Sequence, residues 1–487
     1  MVDKTNSVTA TASKQFKDRQ DQIFRGKKHP DHYDEPHDSD ADSGFSNDDE
    51  SDWSDFSDHT ESESEEVLSQ RREKDMERLA RFIADNLEEV PKEQRKAWVL
   101  EKTKEVFDET LPESLLDITA ARFFEGDTGI DVNARPHWLD MDKLRRGQKF
   151  ALDHLSSLAY ADVVSLFALY SFYEDLKSII ATGQSSTPYA SFKRFLSTCA
   201  RVHNWYKSDP WTPGTPANKD IKAVRNLHKL VRKRMASMSA EEFKERSSIK
   251  EPWCVALATS RRDLQSSCPA PKVGKCPFAF VNKYKTLTGR FLSQGEMVGT
   301  QFGFVGLIVL RPEVFGIHYA TDDDLEGFLH LWRSIGYQLG LDDNYNFCRG
   351  SLEDVRTRSR EFLEFWVKPN LRSVTPEWEH MMRCVFQGVK YYYPGASYEI
   401  ALLDFAEIIG IKMPGLYQSI SYSLWITRCV MRLYLSYGLR YDIFRVRFNN
   451  FLEMRIERAM RFDEKKHEEL QRRSAETLMS CATNKRE

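Results

Sequence analysis

The sequence predicts an all-α protein, a single large multi-helix domain preceded by a disordered acidic N-terminal tail. Three observations carry this. Beyond residue 70, apolar residues recur at helical spacing and are bracketed by capping and stop residues. No region offers several short, alternating apolar runs separated by turn residues, as a sheet requires. No GxGxxG or GxxxxGK[ST] precedes a helix, and no repeat of fixed period runs through the 487 residues.

Residues 1–70 read as the tail. Positions 31–66 hold 16 Asp and Glu and no Lys or Arg, with serines interleaved. Such a stretch buries too little apolar area to offset its ordering entropy, so disorder is expected. Ser46, Ser51, Ser54, Ser57, Ser62 and Ser64 each have acids close downstream, the pattern acidophilic kinases use. A solvating, unregulated tail fits the same composition. The chain's formal charge is −4, so without those carboxylates the remainder is about +12. An acidic tail on a basic body suggests autoinhibition or a protein partner for the tail. No nucleic-acid reader motif is present, and the positive charge is spread rather than patched, which argues against nucleic acid.

The eight cysteines form no CxxC pair, which argues against a zinc ribbon or thioredoxin motif. Their low density predicts reduced thiols and an intracellular setting; Cys268 and Cys276 share a Pro-rich loop and would pair only if oxidised. Met1 to Gln20 lacks an apolar core, so no signal peptide is expected. The best membrane candidate is 416–438, but Arg428 and Arg432 interrupt it. An arginine at a bilayer centre costs roughly 2.5–3.5 kcal/mol, so a buried core helix is expected there. Membrane association stays open without a clear transmembrane helix.

Residues 71–140 should be a helical and irregular wrapping segment. Leu79, Phe82, Ile83 and Leu87 share one helical face, a second helix runs from Pro91 through Val106, and 108–143 is broken by Pro112, Gly126, Gly129 and Pro136. Residues 141–440 should be the main helical domain. Helices are expected at 144–159, at 161–181 (almost wholly apolar), at 189–206 and at 219–236. Ser239 should cap a short helix, and 249–278 should be a long loop. Further helices are expected at 293–310, at 321–340 with Thr321 as cap and Gly340 as stop, and at 350–366, 376–391, 396–409 and 416–438. Residues 441–487 should be a charged helix, over 443–475, and a tail.

Chemistry centres on His228. Leu227, Leu230 and Val231 flank it, Arg225 lies three residues before it and Arg232 four after. Those spacings place both arginines on the histidine's side of a helix. Two neighbouring cations suppress imidazole protonation and favour the neutral, metal-ligating form, and they also need anions. A haem would meet both needs, its iron taking the imidazole and its propionates the arginines. A core histidine bonded to a carbonyl, with protein carboxylates on the arginines, fits the same pattern. Zinc fits less well: there is no HExxH and no second histidine within five residues. Glu377-x-x-His380 and Glu464-x-x-His467 have di-iron spacing, but the second lies in a highly charged helix. A GxSxG elbow is absent. On the preceding helix, Arg194 and Thr198 are four apart and share a face, either toward the same cofactor or as a packing pair with a hydroxyl back-bond.

Over roughly residues 140–440 the chain resembles the family of haem-dependent oxygenases that groups rubber oxygenase (latex-clearing protein) with the ER-bound oxygenase mpaB. The resemblance rests on Arg194 and Thr198, on His228-x-x-Val231-Arg232, on Gln294-x-Glu296-Met297-x-x-Thr300, and on His330-x-Trp332-Arg333-x-x-Gly336 before Gly340. It implies an all-α fold around a buried haem b pocket, with His228 as the iron ligand. Arg194 and Thr198 would be the catalytic residues of the distal side, and Arg225, Arg232 and Thr300 would join His228 in binding the cofactor. The implied reaction is O2-dependent oxidation or C=C cleavage of a hydrophobic, isoprenoid- or lipid-like substrate, in the cytoplasm or at the ER. The apolar stretches 161–173 and 300–310 would wall the channel. Ser197 stands where rubber-cleaving members carry a lysine, and Glu174 does not match the spacing of their candidate base. A non-catalytic haem-binding or sensing protein of the same fold, or an interaction protein regulated by its tail, are the alternatives.

Overall fold

The computed structural model describes residues 65–107, 111–269 and 291–483. Residues 1–64 of the expected tail, with Ser46, Ser51, Ser54, Ser57, Ser62 and Ser64, and Cys276 lie outside these residues; residues 65–70, expected in the tail, begin the first helix, and Cys268 is a buried free thiol. Ser62–Glu487 forms one compact unit, all-helical among the described residues apart from an isolated bridge between Glu125 and Ser293.

The first helices are α1 (Glu65–Asn86), α2 (Arg95–Phe107) and α3 (Glu113–Ala121). α3 falls where only irregular chain was expected. It is short and almost uncharged, and its buried residues Leu115, Leu116 and Ile118 are stabilised by packing rather than by periodicity. Next come α4 (Met141–Asp153), α5 (Leu155–Leu169) and α6 (Tyr173–Ala181). The expected helices 144–159 and 161–181 are thus divided differently. The chain turns by 86° between α4 and α5, at His154, with no proline or glycine at the turn. The break is held from far away. Asn449 Oδ1 accepts from Ser156 N at 3.0 Å, and its Nδ2 donates to the carbonyls of Leu152 and Asp153 at 3.1 and 2.9 Å. One side chain therefore satisfies the loose end of one helix and the loose start of the next.

α7 (Pro188–Lys207) and α8 (Pro216–Ala236) start alike, with Thr187 and Thr215 capping and proline at the first helical position. α9 (Ala240–Arg246) is capped by Ser239, and α10 (Leu257–Ser267) interrupts the expected loop. α11 (Gln294–Leu310) and α12 (Asp322–Gln338) open with full capping boxes, Ser293 with Glu296 and Thr321 with Asp324. They are followed by α13 (Leu352–Phe362), α14 (Lys368–Leu371), α15 (Pro376–Lys390) and α16 (Tyr398–Ile408). The chain ends in α17 (Pro414–Ser419), α18 (Tyr422–Ser436), α19 (Asp442–Met460) and α20 (Glu464–Thr483). α19 packs by the stripe Leu452, Ile456 and Ala459.

α5 and α11 cross at the centre. Ser165 Oγ donates to Gly303 O at 2.5 Å, and a Cβ at Gly303 would meet Leu169 at 2.6 Å, so glycine permits the close approach. Phe167 sits among Trp378, Phe386, Tyr398 and Phe405, with ring centroids 5.6–5.7 Å away. α18 is not the core helix its apolar composition predicts: only Arg428 and Leu435 are buried in it. Its polar residue faces the protein because Asp404 and Glu407 of α16 are there to receive it.

Candidate cofactor site

α8 packs beside α7, and its buried stripe is Ile221, Arg225, Arg232 and Met235, with half-buried His228 on the same line. The expected apolar flank is reversed. Leu227 and Leu230 are 50% and 64% exposed, while the histidine and both arginines point inward.

The two arginines have different fates. Arg225 donates from Nε to both oxygens of Asp127 at 3.1 Å, and from Nη1 to the Gln338 carbonyl at 3.3 Å. A protein carboxylate therefore takes the cation that the sequence offered to a cofactor anion. Burial works to raise the Asp127 carboxyl, but the Arg225 and Gly129 hydrogen bonds and the Arg225 and Arg232 charges hold it below the usual carboxylate range. Arg232 is as deeply placed, with Asp127 Oδ2 at 3.5 Å and Glu125 Oε1 at 4.0 Å, yet among the described residues none of its three guanidinium nitrogens has a hydrogen-bond partner. Burial lowers its pKa, an effect that Asp127 and Glu125 offset only in part. A buried guanidinium without hydrogen bonds is costly and marks a place where an acceptor belongs.

His228 lies one turn from Arg232. Its Nδ1 is sealed from solvent and has no hydrogen-bond partner, while the residue as a whole keeps accessible surface. Burial first, then the Arg232 and Arg194 charges, push its pKa down from 6.5 to about 4, so the ring is neutral at pH 7. The cations acting on it are therefore Arg232 and Arg194, since Asp127 neutralises Arg225. Arg194 reaches toward this space from α7, donating from Nη1 to Ser185 Oγ at 2.7 Å. The hydroxyls of Thr198 and Thr300 bond back to their own helices, at Arg194 O (3.0 Å) and Glu296 O (2.9 Å). The structure thus brings His228, Arg194 and Arg232 together, ties Arg225 into the scaffold, and leaves Thr198 and Thr300 as helix back-bonds. Thr300 is exposed on an otherwise buried helix, beside Gly299, where a Cβ would meet no atom within 4 Å.

Sequence reasoning missed Asp162. It lies deep in the body on α5, keeps accessible surface, and forms no ion pair or side-chain hydrogen bond among the described residues. Burial pushes its carboxyl far above the usual carboxylate range, and burial first also raises the thiol of Cys199, next to Thr198, and the phenol of Tyr206, two groups close enough to interact with it. The available signal was a lone carboxylate in an apolar helix with no cation one turn away. Asp127 carried no such signal, because it is 98 residues from the arginine it binds.

Three other histidines of the sequence motifs are bound into the scaffold. His380 accepts from Trp253 N at 2.8 Å and faces Ser186 O at 2.9 Å, and His330 accepts from Asp140 N at 3.0 Å. His467 meets the Tyr189 hydroxyl at 3.2 Å. Motif residues downstream are scaffold as well. Gln294 bridges Glu125 O, Gly340 O and Asp342 N, Trp332 stacks on Phe304 at 4.1 Å, and a Cβ at Gly336 would strike Gln301 at 2.2 Å. Among the described residues no three His, Cys, Asp or Glu side chains gather as a metal site. Two open grooves, of about 570 and 370 Å³, lie on the C-terminal helices, and neither is lined by His228.

Comparison with protein-family models, with curated proteins and with solved structures returned no match.

Proposed function

We propose that the Arg194, His228 and Arg232 cluster binds haem b, and that the protein is a haem-dependent oxygenase acting with O2 on a hydrophobic, isoprenoid- or lipid-like substrate. The observation that carries this reading is the pair of orphaned groups on one helical stripe, the Arg232 guanidinium and His228 Nδ1. The resemblance to the rubber oxygenase and mpaB family supports the reaction class. His228, held neutral, would be the residue that offers a lone pair to the haem iron. Arg232 would take a propionate, whose oxygens answer its unmet donors. Arg194 places a second cation against the same space, and Asp162 holds a proton in an apolar wall. When bound, haem supplies the dioxygen chemistry that side chains lack. Arg225 acts as a positioning residue, fixing α8 to the Asp127 turn.

Full-length protein supplemented with haem should show a Soret band and a higher melting temperature. His228→Ala should lose both, and Arg232→Met should weaken haem retention roughly tenfold. A wild-type protein without Soret absorbance would refute the site. A non-catalytic haem binder is the second reading. Ser197 in place of the family's lysine favours it, as does the Thr198 hydroxyl bound into its own helix. Oxygen uptake with polyprenyl substrates separates the two, since a binder or sensor consumes none.

A further inference from the structure

α18 and the start of α19 form an inside-out surface. On α18 the buried polar residue is Arg428, whose Nε and Nη2 donate to Asp404 and Glu407 of α16 at 2.9 and 2.8 Å. Arg432 clamps the same Glu407 at 2.7 and 2.6 Å. The apolar residues face outward. Tyr422, Ile426, Val430, Leu433 and Tyr437 follow one helical stripe, and Val430 and Leu433 are 60% and 62% exposed. Tyr441 and, at the start of α19, Ile443, Phe444 and Val446 are exposed as well. The two helices are joined rigidly beneath it: the Tyr434 hydroxyl donates to Phe444 O at 3.0 Å, its ring meets Phe448 at 5.3 Å, and Leu435 and Leu439 are buried. The result is one continuous, anchored apolar face larger than scattered surface residues explain.

Its charge and aromatics indicate what covers it. From residue 408 to 452 the chain has six Lys and Arg and a single acid, Asp442. Asp442 is already paired with Arg445, and Glu407 with Arg428 and Arg432. Lys412, Arg440 and Arg447 remain exposed around the apolar stripe. Trp425 donates to the Tyr417 hydroxyl at 2.8 Å and stacks with Tyr422 at 5.7 Å, forming an amphipathic aromatic group beside a groove of about 370 Å³. Apolar bodies with polar tips, ringed by cations, match the interface of a bilayer. A second copy would fit poorly, because a two-fold contact would set this basic rim against itself, and among the described residues from 408 to 452 the single acid, Asp442, is already paired. Among the described residues no single helix is long and apolar enough to cross a membrane, and α18 has only 15 residues, so the fit is to the plane of the interface.

We propose that the α18–α19 face docks onto the surface of an anionic lipid bilayer, with Tyr422, Ile426, Val430 and Leu433 entering the headgroup region and Arg440 and Arg447 contacting acidic lipid. This is independent of the haem reading. The test is flotation of the full-length protein with vesicles of phosphatidylcholine and phosphatidylserine, against phosphatidylcholine alone. The wild type should float with the mixed vesicles. Val430→Asp with Leu433→Asp should lose binding at least tenfold, with an unchanged circular dichroism spectrum and melting temperature, since both sites are exposed. Arg440→Gln and Arg447→Gln should each weaken binding to the acidic vesicles by about fivefold, the equivalent of about 1 kcal/mol per basic residue. Wild-type protein that stays with neither vesicle, or a doubly substituted variant that floats as well as wild type, overturns the proposal. So does light scattering that shows a dimer dissolved by the same substitutions without any vesicle binding, which would assign the face to a second copy.

Discussion

Arg428 and Arg232 are both buried arginines on helices that also expose large apolar side chains, and they differ in what receives them. Arg428 is hydrogen-bonded to two carboxylates of α16. Arg232 has carboxylates only at 3.5 and 4.0 Å and no hydrogen bond. The first is a cation the fold has used to fasten a helix. The second is a cation the fold has buried and left ready for an acceptor. Burial and charge are alike in the two cases, so only the partner list separates a structural arginine from a binding one.

The sharpest way to break this comparison is to remove each arginine in turn. Arg428→Ala leaves buried Asp404 with only the Tyr160 hydroxyl and should cost about 3 kcal/mol in denaturant unfolding. Arg232→Met in haem-free protein should change stability by less than about 1 kcal/mol, because it removes a desolvated cation with no hydrogen bond to lose. Equal losses would dissolve the distinction.

The same contrast holds among the histidines and gives a pH test. His380 has a partner on each ring nitrogen. His154, at the α4–α5 bend, has an orphaned Nδ1, and burial first, then Arg445, push its pKa from 6.5 down to about 4. Between pH 6.5 and about 4 the unfolded chain binds the proton and the folded chain does not. This group's contribution is therefore complete above pH 6.5 and is lost as pH falls toward 4. The loss should reach on the order of 3 kcal/mol, and His154→Leu should flatten that part of the stability–pH curve. A slope unchanged in the variant would place the titration elsewhere.

The smallest effect sharpens the role of α8 as a mount for His228. Thr215 caps it, its side chain accepting from Asn218 N at 3.2 Å. Thr215→Ala should cost about 1 kcal/mol by thermal unfolding and leave the His228 environment intact. A larger loss, or altered haem binding at saturating haem, would mean that the cap also positions the site.

Much of the helical framework was legible because its signals are local. Thr321 with Asp324, and Ser239 before Glu241 and Glu242, mark helix starts within four residues, whereas the helix expected from 219 starts earlier, at Pro216 behind the Thr215 cap. The spacing of Arg225, His228 and Arg232 correctly put all three on one stripe, since 3.6 residues per turn requires it. α3 and α10 were not legible because nothing in their short sequences outweighs a loop; packing and partners elsewhere in the fold hold them. α10 is an example: Asp263 accepts from the backbone of Gly415 and Leu416, about 150 residues away.

By itself, then, the sequence determined the all-α class, the caps Ser239 and Thr321, and the shared face of the histidine and the arginines. Only the tertiary structure decided that Asp127 satisfies Arg225 and not Arg232, that Asn449 breaks the chain at His154, and that α18 turns its arginine inward and its apolar side out. The physical reason is common to all three. Helix formation is set by neighbours within about four residues, whereas the satisfaction of a buried polar group depends on a partner that folding brings from far along the chain.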